Sequence, residues 1–64
     1  MLRAVLVDDD LGSLEAMSEL IERDGFSVAR AASLAEARAH LEQAVPDVLL
    51  TDLVLPDGSG IELI

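Results

Sequence analysis

Two short apolar runs, each ended by aspartate, constrain this chain more than any other feature of its sequence. The first run, residues 4–7, is followed by three consecutive aspartates at 8–10, and the second, residues 48–51, is followed by Asp52. Neither run shows the alternation of a half-exposed strand, which favours strands buried on both faces of a parallel sheet. Because parallel strands are joined by helical crossovers, the sequence predicts an α/β fold.

The segment after the first run predicts an amphipathic helix. Asp10 is a favoured N-cap, and Gly25 is the residue expected just beyond the end of the helix. The apolar residues between these two positions follow helical spacing: Leu11, Leu14, Met17 and Ile21, with Leu20 widening the stripe. Such a helix can cover one face of a sheet and serve as a crossover.

A short strand and a second helix are predicted next. Residues 27–31 contain Arg30 in the middle, which favours an edge strand. Ser33 and Glu36 have the spacing of a capping box, and Pro46 ends the helical pattern. The residues that share one side of this helix are Leu34, Ala37, Leu41 and Ala44.

The predicted order is β-α-β-α-β with helical segments between the strands. Right-handed crossovers constrain the layout of the strands. The polar second strand belongs at the outside and the two apolar strands belong side by side, which gives the strand order 2-1-3. This order begins a flavodoxin-like doubly wound parallel sheet.

The end of the chain predicts a turn and the start of a third helix. Residues 56–58 read Pro-Asp-Gly, a turn sequence, and residues 59–62 form another capping box, from Ser59 to Glu62. The chain stops about one turn later, which is short for a globular helix. We therefore expect residues 1–64 to be the N-terminal part of a larger domain, cut near the start of its third helix.

Composition excludes several classes of function. A net charge of -9, with four arginines and no lysine, argues against contact with nucleic acid. The absence of cysteine removes disulfides and thiolate metal sites. The apolar run at 4–7 is too brief for a signal peptide or a membrane span, so we expect a cytoplasmic chain without membrane contact.

The acidic residues mark the expected site. Doubly wound sheets bind ligands beyond the carboxyl ends of the strands, where the first and third strands lie side by side. We expect the side chains of Asp8, Asp9 and Asp52 to meet there. A divalent cation can relieve the repulsion between their carboxylates, and Mg²⁺ is a cation that suits a site made only of oxygen ligands. Aspartate can also act as a nucleophile toward phosphorus. Asp10 is more simply read as a helix cap, and Asp52, taken singly, suits a turn equally well.

At these residues the chain resembles the receiver domain of bacterial two-component response regulators. Residues 5–10 are similar to the first-strand signature of that family, and residues 49–60 are similar to the segment around its phosphoacceptor. The resemblance implies that Asp52 is phosphorylated by a sensor histidine kinase and that transcription is controlled through an output domain outside this chain. It also implies a Mg²⁺ site in which Asp9 is a direct ligand and Asp8 holds a metal-bound water, together with the Asp52 carboxylate and the main-chain carbonyl of Val54.

The chain also departs from the family. The family's domain is longer, and its second half supplies a hydroxyl residue and a lysine at the phosphoryl group, whereas this chain has no lysine and only Thr51 as threonine. The unpaired edge of the third strand predicts association with the missing C-terminal half of the receiver or with another copy of the chain.

The residues leave three other functions to consider. One is an interaction module of the same fold that takes no phosphate. Another is an aspartate-nucleophile phosphatase, although Gly12 stands where those enzymes carry threonine or valine and Asp52 is left unexplained. The third, an EF-hand loop starting at Asp8, has Ser13 where its sharp turn needs glycine.

Overall fold

A three-stranded parallel sheet with a helix on each face organises the computed structural model, which describes residues 1–64. The main elements are β1 (Leu2–Val7), α1 (Leu11–Arg23), β2 (Phe26–Ala31), α2 (Leu34–Gln43) and β3 (Val48–Thr51). They are followed by a small hairpin of β4 (Val54–Leu55) and β5 (Gly58–Ser59), and by a 3₁₀ helix over Gly60–Leu63. None of the helices combines the length and apolarity needed to cross a membrane.

Strand β1 lies at the centre of the sheet, as predicted. It pairs in parallel with β2, from Leu2 opposite Phe26 to Val7 opposite Ala31, and with β3, from Ala4 opposite Val48. The order β2-β1-β3 confirms the flavodoxin-like arrangement. The apolar run of β1 is buried on both faces of the sheet, and each of its residues is at most 3% exposed: Ala4, Val5, Leu6 and Val7.

The two faces of β1 serve different helices because successive side chains of a strand point in opposite directions. Val5 and Val7 join Ala31 and two residues of α2, Leu34 and Ala37, in one apolar cluster that also holds Leu55. Ala4 and Leu6 lie on the opposite face, which α1 covers. Each helix therefore seals one side of the central strand, as expected for a doubly wound sheet.

Helix α1 begins and ends where the sequence predicts, but its buried face is narrower. Asp10 is the N-cap, and Gly25 follows the helix in a left-handed conformation with φ of 90°. Leu11 and Leu20 are mostly exposed, whereas Ser18 is fully buried and donates its hydroxyl proton to the Leu14 carbonyl at 2.7 Å. The small, internally bonded serine takes a core position that the apolar spacing did not reveal.

Helix α2 is shorter than its apolar pattern predicts. Ser33 is the N-cap, and Leu34 and Ala37 are buried, but the helix ends at Gln43 and Ala44 is extended and exposed. The prediction that Ala44 shares the helix face was wrong. Pro46 disfavours helical backbone at the residue before it, so the chain leaves the helix ahead of the proline.

The segment after β3 forms the hairpin that the sequence pattern did not predict. Strands β4 and β5 have two residues each and pair antiparallel around Pro56 and Asp57. The capping box from Ser59 to Glu62 is present, with both of its hydrogen bonds, and it opens a 3₁₀ turn. Leu55 of β4 is buried in the apolar cluster with Val5 and Val7, so the segment after β3 folds back toward the sheet.

Candidate functional site

The main chain fixes two of the predicted site residues directly on the sheet. The Asp8 amide donates to the Ala31 carbonyl at 3.0 Å, and the Asp52 amide donates to the Val7 carbonyl at 2.9 Å. These bonds continue the parallel ladders one residue past the strand ends. Asp8 and Asp52 consequently occupy neighbouring positions at the carboxyl edge of β1 and β3.

Three carboxylates converge at this edge. Asp8, Asp9 and Asp52 each offer one oxygen, and these three oxygens all lie within 4.8 Å of one another. Asp8 is half-buried, while Asp9 and Asp52 are exposed. The predicted convergence of side chains that are distant in sequence is thus present in the structure, and we call these three residues the acidic cluster.

Hydrogen bonding inside the protein leaves the acidic cluster with free acceptors. One oxygen of Asp8 accepts the Asp10 amide at 2.9 Å, and one oxygen of Asp52 accepts the Leu53 amide at 2.9 Å. Asp8 and Asp52 each keep a second oxygen available, and neither oxygen of the Asp9 carboxylate accepts a hydrogen bond from the protein. The bonds orient two of the three side chains without using up their capacity to bind a cation.

The donor set of the acidic cluster fits Mg²⁺. The ion prefers oxygen ligands in an octahedron with bonds of about 2.1 Å, so its ligand atoms lie roughly 3.0 to 4.2 Å apart. The observed spread of up to 4.8 Å needs only a small inward movement of exposed side chains. Solvent access on the exposed side leaves room for the waters that Mg²⁺ usually retains. The cluster can therefore hold a divalent cation.

An open cavity of about 270 Å³ adjoins the acidic cluster. Asp8 and Asp52 supply its acidic part, and the remaining lining comes from Val7, Met17, Leu50 and Thr51. A cavity of about 290 Å³ beside Leu11 contains both Arg30 and Glu36, and so lacks convergent charge of one sign. Of these two cavities, the one beside Asp8 and Asp52 is the better suited to a cation.

Asp10 serves the helix and stands apart from the acidic cluster. Its Oδ1 accepts the Gly12 amide at 3.1 Å, and its Oδ2 accepts the Ser13 hydroxyl at 3.0 Å. Both oxygens are thereby engaged at the start of α1, which confirms the interpretation of Asp10 as a cap.

The loop that follows Asp52 is closed by a glycine. The Gly60 amide donates to the Leu53 carbonyl at 2.9 Å, and a Cβ at Gly60 would overlap the Asp52 carbonyl. The same carbonyl accepts the Thr51 hydroxyl at 2.9 Å. Val54, the first residue of β4, lies two residues beyond Asp52, and the use of its carbonyl as a metal ligand stays a prediction.

Asp57 has a structural role that sequence reasoning missed. The sequence marks it as a turn residue, but its carboxylate also accepts the Leu34 amide at 2.8 Å and the Ala35 amide at 3.0 Å, at the start of α2. The hydrogen bond from the Leu34 amide is the main cause that lowers the Asp57 pKa below 3.8. No local signal identifies this contact, because donors and acceptor are more than 20 residues apart in sequence.

The pKa of Asp57 predicts a stability effect in acid. Because the folded pKa is lowered, the ionised carboxylate stabilises the fold above pH 3.8, and this contribution is lost as the pH falls through the folded value. We expect the stability difference between the wild type and Asp57→Asn to be constant near neutral pH and to shrink below pH 3.8. Urea unfolding at a series of pH values measures it. A difference that stays constant into strong acid would contradict this assignment.

Comparison with known proteins gives consistent matches. The sequence model of one protein family, the response regulator receiver domain, matches residues 4–64 of this chain. The photosynthetic apparatus regulatory protein RegA of Cereibacter sphaeroides is 35% identical over 60 residues, which cover 94% of this chain and 33% of RegA. The DNA-binding transcriptional activator DevR/DosR of Mycobacterium tuberculosis is 42% identical over 65 residues, which cover 98% of this chain and 30% of that protein.

A solved structure gives the same result for the fold. The non-phosphorylated HemR receiver domain from Leptospira biflexa superposes with a TM-score of 0.89 at 36% identity. The match covers 98% of this chain and 51% of the HemR chain. The chain thus spans about a third of the length of these curated relatives and about half of the solved one.

Proposed function

This chain belongs to the response regulator receiver domain family, and from that premise we propose that it accepts a phosphoryl group on Asp52 as a signalling module. The observation that carries the proposal is the acidic cluster, in which Asp52 ends β3 within 4.8 Å of the carboxylates that follow β1. A nucleophilic carboxylate beside two further acids needs a cation to approach a phosphate. The arrangement therefore supports phosphoryl acceptance better than a purely structural role.

The proposed step is an in-line displacement at phosphorus. The free carboxylate oxygen of Asp52 forms a bond to phosphorus while the phosphorus–nitrogen bond of a phosphohistidine on a sensor histidine kinase breaks. The histidine nitrogen leaves with the electron pair and takes a proton from water. Asp8, Asp9, Asp52 and the Val54 carbonyl are the residues that would hold Mg²⁺. When bound, the ion neutralises charge between the carboxylate and the phosphoryl oxygens.

The output of the module is proposed from its relatives. DevR/DosR is a DNA-binding transcriptional activator, and AlgB of Pseudomonas aeruginosa, 36% identical over 62 residues, is an alginate biosynthesis transcriptional regulatory protein. We propose that this receiver also controls transcription, through a domain outside these residues. With a net charge of -9, the segment itself is unsuited to DNA contact.

Incubation with a small phosphodonor tests the function. The intact protein is mixed with the phosphodonor and Mg²⁺, and its mass is measured with and without a chelator. One phosphoryl group should be added in the presence of Mg²⁺, and the adduct should fall sharply when the metal is chelated. Continuous release of inorganic phosphate from an unrelated phosphomonoester would support the phosphatase instead. A mass that never changes would support the interaction module.

Magnesium affinity tests the part of Asp9. We expect Asp9→Ala to weaken Mg²⁺ binding at least tenfold, because a single charge as far as about 4 Å from a divalent ion contributes on the order of 2 kcal/mol even in water, and a direct ligand lies closer. Calorimetric titration measures the affinity. Asp10→Ala is the matched control, because the Asp10 carboxylate already accepts hydrogen bonds from Gly12 and Ser13. The loss of Mg²⁺ affinity in Asp10→Ala should be several times smaller than the loss in Asp9→Ala. Equal losses in the two variants would remove Asp9 from the ligand set.

The free edge of β3 indicates where the rest of the domain packs. Strand β3 pairs only with β1. Several apolar residues of β3 and of the segment that follows it are exposed: Leu50, Leu53, Val54, Ile61 and Ile64. We propose that the C-terminal half of the receiver covers this edge, because the match to HemR leaves about half of that chain unaligned.

Isolation of residues 1–64 tests the covered edge. Without its cover, the edge should pair with another copy, so that the segment self-associates. Sedimentation equilibrium measures the association. A stable monomer that unfolds cooperatively would contradict the proposal, and the intact protein provides the control.

A further inference from the structure

Asp57 makes contacts that the proposed function does not use. Its two oxygens accept hydrogen bonds from successive amides of α2, at 2.8 Å from Leu34 and 3.0 Å from Ala35. Asp57 belongs to the turn between β4 and β5, so these bonds tie the hairpin to the helix. A carboxylate in this position is stabilised by both the charged hydrogen bonds and the positive end of the helix dipole.

Helix α2 has its own cap and does not depend on Asp57 to begin. The Ser33 hydroxyl accepts the Glu36 amide at 3.2 Å, and the Glu36 carboxylate accepts the Ala32 amide at 3.3 Å. These local contacts serve other amides than those that Asp57 binds. The bonds to Asp57 are therefore an additional tie from a distant segment, and their removal leaves the local cap intact.

Further contacts hold the same two elements together. Leu34 and Leu55 are buried in one apolar cluster, and a Cβ at Gly58 would lie 2.6 Å from Leu34 Cδ1. Beyond the hairpin, Arg38 and Glu62 form an exposed ion pair at 3.1 Å. These contacts couple the position of the hairpin to the position of the first turns of α2.

The other end of the hairpin leads directly to the acidic cluster. Only Leu53 separates Asp52 from β4, and the Leu53 amide donates to the Asp52 carboxylate at 2.9 Å. The Leu53 carbonyl accepts the Gly60 amide, also at 2.9 Å. A shift of the hairpin must therefore move the group that orients the Asp52 side chain.

We propose that Asp57 is a positioning residue for the acidic cluster. By fastening the β4–β5 hairpin to α2, it holds Leu53 and the main chain of Val54, and through Leu53 it holds the Asp52 carboxylate in its orientation. A displacement of α2 is transmitted along the same path to Asp52. The inference rests on the proposed function, because the orientation of Asp52 matters for Mg²⁺ binding and phosphoryl transfer.

The test compares two ways of removing a cap from α2 in the intact protein. Asp57→Ala removes the tie from the hairpin, Asp57→Asn keeps one acceptor oxygen, and Ser33→Ala removes a cap that does not contact the hairpin. Mg²⁺ affinity is measured by titration at high ionic strength, where the loss of one exposed charge has little long-range effect. Amide hydrogen exchange at Leu53 and Gly60 is followed in the same variants without metal.

Asp57→Ala should weaken Mg²⁺ binding roughly 3- to 10-fold, as expected for the loss of a hydrogen bond that orders a ligand. It should accelerate exchange at Leu53 and Gly60 by a similar factor, and Asp57→Asn should fall between it and the wild type. Ser33→Ala should change neither quantity, although it removes a hydrogen bond at the start of α2. If the alanine variant does not fold, the asparagine variant carries the comparison.

Any one of three results would overturn the inference. The first is an equal effect of Ser33→Ala and Asp57→Ala, which would make Asp57 only a helix cap. The second is unchanged exchange at Leu53 and Gly60 in Asp57→Ala, and the third is unchanged Mg²⁺ affinity in that variant where the wild type binds the ion. If the wild type neither binds Mg²⁺ nor takes a phosphoryl group, the proposed function fails, while the exchange comparison still decides the role of Asp57.

Discussion

Replacing Asp52 by asparagine should abolish phosphoryl incorporation completely. The amide has nearly the same shape and keeps an oxygen that can accept the Leu53 amide, but it lacks the anionic nucleophile that must attack phosphorus. The fold should therefore persist while the chemistry is lost. Intact-mass measurement after incubation with a small phosphodonor and Mg²⁺ should find one added group on the wild type and none on Asp52→Asn.

Asp24→Asn is the matched control for this substitution. Asp24 is an exposed residue that ends α1 through its main chain, so the same change of side chain there removes one negative charge far from the acidic cluster. This variant should accept a phosphoryl group as the wild type does. An adduct that persists in Asp52→Asn would place the acceptor on another residue and refute the proposed role of Asp52.

Replacing Gly60 by alanine should destabilise the protein strongly. The new Cβ would overlap the Asp52 carbonyl and lie 2.6 Å from the Thr51 hydroxyl, so the main chain of the loop would have to move. Overpacking of this kind costs about 3 kcal/mol, which lowers the melting temperature of a small domain by more than about 10 °C. Thermal unfolding followed by circular dichroism measures the shift. The loop after Asp52 should also lose its hydrogen bond from Gly60 to Leu53.

Gly12→Ala provides the opposite expectation for the same chemical change. A Cβ at Gly12 would lie 3.5 Å from the nearest atom, an oxygen of Asp10, which is an ordinary contact. Alanine is favoured over glycine inside a helix by roughly 0.5–1 kcal/mol, so this variant should melt slightly higher than the wild type. Equal melting temperatures of Gly60→Ala and Gly12→Ala would show that the close approach of the main chain at Gly60 imposes no constraint.

The strands and helix starts were predictable because their signals are local. The run at residues 4–7 indicates a buried strand without reference to any other part of the chain, and Asp10 and Ser33 cap the helices that begin next to them. The strand order also followed, because the chirality of crossovers leaves few arrangements. The convergence of Asp8 with Asp52 is a consequence of that order.

The features that were missed depend on partners distant in sequence. Ser18 is polar, and only the close packing of α1 on the sheet makes it a core residue. Asp57 reads as a turn residue, and its bonds to Leu34 and Ala35 exist only once α2 is placed beside the hairpin. The two-residue strands of the hairpin are too short to show any periodicity. Tertiary contact decided each of these cases.

The bond from the Asp52 amide to the Val7 carbonyl has a practical consequence for spectroscopy. It makes the nitrogen of the proposed acceptor part of the ladder of β1, although its carboxylate lies in solvent. The amide proton of Asp52 should therefore exchange slowly with solvent in the resting protein, like those of the central strand. Faster exchange at this one amide after addition of metal or phosphodonor would report opening of its hydrogen bond to Val7.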